Sequence, residues 1–157
     1  MAEFRAIELA IEVATRQRDA LARNLAQARR NLEFANGQME QLSNYAADTD
    51  GRWTQAQPAS RCGELVRHHY QFVERLQHAI GMQSNVIGDL KGQLEAAHQI
   101  LLQAEFRLSG LNQVLQGKQA ARQLKQRRRE QQHTDEFAAL RHLHARVAQQ
   151  QGENHEH

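Results

Sequence analysis

Nine histidines, a single cysteine (Cys62) and the basic run Lys125 to Arg129 are the residues of this chain with the most chemical potential. A structural zinc site needs four converging ligands, and on a helix side chains converge only at i, i+3 or i+4. His68 and His69 are adjacent, His142 and His144 are two apart, and Cys62, His78 and His98 hold none of the useful spacings. The histidines therefore read as solvated side chains, and no metal or cofactor is expected. Nucleophilic catalysis has no better basis. Cys62 and His69 stand two turns apart beside a break, and the glycines are dispersed instead of forming a phosphate loop. No enzymatic activity is expected of a narrow helical chain without a concave pocket to desolvate an acid or base.

The basic run KQRRR invites a different chemistry. From Gly117 to Gln150 there are eight Lys or Arg against three acids, although the whole chain carries only +2. Lys125, Arg127, Arg128 and Arg129 could contact phosphates, an anionic membrane surface or an acidic protein. Sequence-neutral binding of single-stranded nucleic acid usually adds aromatic stacking partners, and the nearest aromatic is Phe137. A solvated face or an acidic protein contact ranks above nucleic acid.

The elements that must carry these residues follow from composition and periodicity. In 157 residues there are five Phe, two Tyr, one Trp and one proline, Pro58, and the chain is 40% hydrophobic. That balance cannot fill a wide globular core, but it suits long helices with a narrow apolar stripe. Ile7, Ile11, Ala14, Arg18, Leu21, Leu25, Ala28, Leu32, Ala35, Met39, Leu42 and Ala46 alternate by fours and threes. The same rhythm runs from Val66 through His69, Val73, Leu76, Ile80, Gln83, Ile87 and Leu90 to Leu108, Leu111 and Leu115. These are coiled-coil seams, whose repeat of about 3.5 keeps one face toward a partner helix.

Between them, Asp48, Asp50, Gly51 and Pro58 supply turn chemistry, and Ser60 suits an N-cap. The expected fold is all-α: one long antiparallel two-helix coiled-coil hairpin whose second helix extends beyond the first. Helix 1 is expected over about residues 3–47, the break over about 48–61, helix 2 over about 62–148 and a disordered tail over about 149–157. In the simplest register Ala46 faces Val66 and Ile7 faces Ala104. Leu108, Leu111 and Leu115 are then left bare, as a surface for another protein or an oligomer seam. With one cysteine no internal disulfide can form, and the N-terminus has neither a signal peptide nor a membrane span, so a cytoplasmic location is expected.

Two stripes beside the break lean off the seam with matching spacing: Gln38, Leu42, Tyr45 and Thr49 on helix 1, and Phe72, Leu76, Ala79 and Gln83 on helix 2. Aromatics at helical spacing usually thicken a coil, but a mixed polar and aromatic patch built from two helices also suits a protein interface.

These stripes, with Ile80 after Ala79 and Asp135, Glu136, Phe137 and Ala138 near the C-terminus, make the chain resemble the flagellar FliJ family along nearly its full length. The resemblance implies a stalk-like component of the flagellar type III export apparatus. Such a protein inserts in the hexameric export ATPase ring, promotes ring assembly and activity, links it to the export gate and escorts export chaperones. It implies a place at the base of the flagellum, peripheral to the inner membrane, and a largely monomeric state in isolation. Carried over by residue, Gln38, Leu42, Tyr45, Phe72, Leu76 and Ala79 would bind the gate's large cytoplasmic subunit. Leu108, Leu111 and Leu115 would meet the ATPase ring. A stalk protein of a virulence secretion system, a basic nucleic-acid-binding coiled coil and a self-associating four-helix bundle are the alternative readings.

Overall fold

A computed structural model describes residues 2–55 and 62–155, which form two helices, α1 (Ala2–Gln55) and α2 (Gly63–His155). They pair antiparallel: near its start α1 meets α2 at Lys118, and near its end it meets α2 at Phe72 and His69. There is no strand among the described residues. The expected two-helix hairpin is the fold observed. Within it the chain divides into two compact units, one of Glu12–Leu108 and one of Met1–Ile11 with Ser109–His157.

In the unit of Glu12–Leu108 the heptad residues are the covered ones. Ala14, Leu25, Ala35, Leu76, Leu101 and Leu108 are buried, and the remaining seam positions from Arg18 to Ala104 are half-buried. Between them the chain is mostly exposed, as expected where each helix has a single neighbour. Arg18, the one charge on the α1 seam, turns its guanidinium outward to Asp19, with Nη2 at 2.9 Å from Oδ1.

The first helix does not stop at residue 47. The four-and-three rhythm continues from Ala46 to Thr49 and Trp53, both half-buried, and α1 runs through Gln55. Asp48, Asp50 and Gly51 are weak helix formers, not helix breakers, and the packing surface of Trp53 outweighs their modest cost. The hydroxyl of Thr49 donates back to the Tyr45 carbonyl at 2.8 Å, and that of Thr54 bonds the Asp50 carbonyl. Pro58 and Ser60 lie outside the described residues. Cys62 occupies the N-cap position of α2, since its carbonyl accepts the Val66 N–H at 3.0 Å.

A longer α1 shifts the register from the expected one. Tyr45 meets Phe72 and Gln38 meets Gln83, so each α1 residue faces a point further along α2 than the Ala46–Val66 pairing predicts.

The unit of Met1–Ile11 and Ser109–His157 corrects the expected bare surface. Glu3 is ion-paired with Lys118, and the Arg122 guanidinium lies 5.3 Å over the Phe4 ring. One and two turns on from Glu3 are Ile7 and Ile11, level with Leu115 and Leu111, and all four are half-buried. Leu111 and Leu115 therefore have an intrachain neighbour. Leu108, in the other unit, is only 8% exposed. The expectation of unpartnered leucines fails because it rested on a helix 1 that ended too early. The unpaired part of α2 lies beyond Arg122, and every described residue from Gln119 is exposed. Helix continues through His155, past the point where the solvated composition suggested a disordered tail; Ala, Gln, Glu and Arg are good helix formers without a partner.

Candidate functional site

The two stripes predicted beside the break come together as one patch. Tyr45 and Phe72 meet edge to face, with ring centroids 5.7 Å apart and planes at 73°, the arrangement that sets a ring's positive edge against the other's negative face. Both remain accessible, Tyr45 at 54% and Phe72 at 37%. Gln38 lies exposed on the same side of α1, and its Oε1 accepts the Gln83 amide at 3.2 Å. Leu42 and Ala79 are half-buried between them. Leu76 is buried at 9%, so its role is to hold the helices together beneath the patch. Thr49 is tied to the Tyr45 carbonyl and half-buried. Of the six predicted gate-binding residues, Gln38, Tyr45 and Phe72 thus offer the free surface.

An aromatic extension was missed by sequence reasoning. The Trp53 indole stacks on His69 with centroids 4.0 Å apart and planes only 6° off parallel, and His69 meets Tyr70 at 5.9 Å and 65°. The heptad rhythm, continued from Ala46 to Trp53, carried that signal beneath the turn-forming aspartates. With this stack, the aromatic surface runs from Tyr45 toward the break.

The basic residues Lys125, Arg127, Arg128 and Arg129 are exposed along α2. Among the described residues the ion pairs are Arg18 with Asp19 and Lys118 with Glu3, so these four cations face solvent. Nearby, Gln131 donates to the Asp135 carboxylate at 3.3 Å, and the Thr134 hydroxyl to the Glu130 main-chain carbonyl at 2.8 Å. Lys118 holds the Glu3 carboxyl below its usual range, by hydrogen bond and by charge. Among the described residues no group of three or more His, Cys, Asp or Glu could hold a metal ion. No helix among them is long and apolar enough to cross a membrane.

The two paired helices make this a coiled-coil protein, with an aromatic and amide patch in one unit and an exposed basic stretch of α2 in the other. The family described as flagellar FliJ protein matches residues 4–147, and the chain belongs to it. It is therefore a component of the flagellar export apparatus. No curated protein matches the chain.

Proposed function

We propose that this protein is a non-enzymatic, stalk-like coiled coil that enters the ring of the flagellar export ATPase, promotes its assembly and activity, and links it to the export gate while escorting export chaperones. The observation that carries this reading is the patch of Tyr45, Phe72 and Gln38, drawn from both helices and left accessible. Edge-to-face aromatics fixed on rigid helices supply contact area with little ordering cost, as interface anchors do. Gate binding through the large cytoplasmic subunit falls to Gln38, Leu42, Tyr45, Phe72 and Ala79, with Leu76 supporting them from below.

The ring contact cannot rest on Leu108, Leu111 and Leu115 as free leucines, because α1 covers them. It is better assigned to the surface of the paired helices around them and to the exposed face of α2 that carries Lys125 and Arg127 to Arg129. A location at the inner face of the membrane at the flagellar base follows from these partners.

Co-purification with the gate's large cytoplasmic subunit tests the first contact. A Tyr45→Ala, Phe72→Ala variant should be lost from the complex while retaining its helical circular dichroism, and undiminished binding would sink the assignment. Stimulation of the export ATPase by the full chain tests the second. Neutralising Lys125, Arg127, Arg128 and Arg129 together should reduce it, and an unchanged rate removes the basic stretch from the ring contact. Retarded mobility of nucleic acid that weakens steeply with salt would favour the alternative use of the same cations.

A further inference from the structure

From Val73 to Leu115 the seam of α2 is apolar at every position except Gln83. Its half-buried side chain crosses to the other helix, where Nε2 donates to the Ala35 carbonyl at 2.9 Å and to the Gln38 Oε1 at 3.2 Å. Ala35, only 3% exposed, is small enough for the amide to lie across it. A polar group in a coiled-coil seam is tolerated only where it finds partners, so it penalises every register that removes them.

Neither alternative one heptad away offers both partners. Moved one way, Gln83 would lie level with Leu42, whose branched side chain fills the seam where Ala35 leaves room. Moved the other way, it would lie level with Ala28. There the residue corresponding to Gln38 is Asn31, one methylene shorter, and its Oδ1 already accepts from Gln27 at 2.8 Å. The apolar residues discriminate less, since leucine, isoleucine and alanine recur along both seams.

We infer that Gln83 is the residue that sets the register of α1 on α2 in this unit, and that it thereby aligns Tyr45 with Phe72. Its part in docking rests on the proposed gate contact; its part in register does not. Gln83 acts through the pair it aligns and is a positioning residue for the patch. A carbonyl beside an alanine recurs at Ala28, so the Gln38 amide is what separates this register from that one, while Leu42 closes the other. Losing either the Gln83 donor or the Gln38 acceptor therefore weakens the choice of register.

The test uses the full chain with Cys62→Ser and nitroxide labels at Glu33→Cys and Gln103→Cys, two exposed positions well separated along the hairpin. Pulsed electron paramagnetic resonance should give a single narrow distance distribution for this parent. Gln83→Met has nearly the same length without the donor, so the chain stays folded by circular dichroism. Its distribution should widen, or gain a component displaced by the axial length of a heptad, about 10 Å. A Gln83→Met distribution that superimposes on the parent's overturns the inference, whatever happens to binding. A widened distribution with at least tenfold weaker gate binding supports both halves. A widened distribution with unchanged gate binding keeps the register role and overturns the docking role.

Discussion

Tyr45 on α1 and Phe72 on α2 meet edge to face, 5.7 Å between ring centroids, although 26 residues separate them in the chain, from Tyr45 to Ser60 and Arg61 and on to Phe72. Only the antiparallel return of the chain can bring them together. A double-mutant cycle on Tyr45→Ala and Phe72→Ala should give a coupling of about 0.5–1.5 kcal/mol in urea unfolding. Tyr45→Phe should keep it, because the ring and not the hydroxyl makes the contact.

The seam carries the stability and the flanks do not. Leu101 is 9% exposed and Phe106, five residues along the same helix, is 84% exposed. Leu101→Ala is expected to cost about 2–5 kcal/mol in urea unfolding, from lost burial and the cavity left behind. The larger deletion, Phe106→Ala, should change stability by no more than about 0.5 kcal/mol.

Most of this hairpin was legible in the sequence, because a seam of fours and threes is a physical requirement of two helices in continuous contact. Every seam residue from Ile7 to Ala46 and from Val66 to Leu115 is buried or half-buried. The pairing of Tyr45 with Phe72 as one patch was legible too, since both stripes carry the same spacing. What sequence reasoning could not fix was where α1 ends. Asp48, Asp50 and Gly51 look like a turn in isolation, and only contact between Trp53 and His69 across the helices decides for helix. The register, and with it the covering of Leu111 and Leu115, depended on that end point. The role of Gln83 was equally out of reach, because spacing marks a seam position without saying which carbonyl lies opposite.

Trp53 is the one tryptophan in the chain, so its fluorescence reports the region near the break alone. Stacking on His69 at 4.0 Å shields one face of the indole. His69→Ala should shift the emission to longer wavelength and increase iodide quenching, while circular dichroism keeps its helical signal. Unchanged emission would mean that the stack contributes no shielding in solution.

At the start of α1 the tie to α2 depends on charge. Glu3 is held below the usual carboxylate value of 4.5 by its hydrogen bond to Lys118 and by the lysine's charge. A lowered folded-state value means that the tie is fully present above about pH 4.5 and is lost as pH falls through the lowered value. Both partners are solvent-accessible, so salt also weakens the pair. Amide exchange of residues 2–11, measured by mass spectrometry, should therefore accelerate in strong salt and with Glu3→Gln beyond the intrinsic rate. Peptides between Leu94 and Leu108 should stay protected, since their cover is apolar.

The unpaired part of α2 gives the last expectation. Beyond Arg122, which still lies over Phe4, every described residue is exposed, including Leu124, Phe137, Leu140, Leu143 and Val147. An isolated helix is marginal in water even with good helix formers, since packing supplies most helical stability in proteins. Amides between Leu124 and Val147 should exchange far faster than those between Leu94 and Leu108 in the same chain. Binding the export ATPase should slow them if this stretch of α2 enters the ring. Slow exchange in the free chain would instead mean that a second copy already covers it, and sedimentation would then show association rising with concentration.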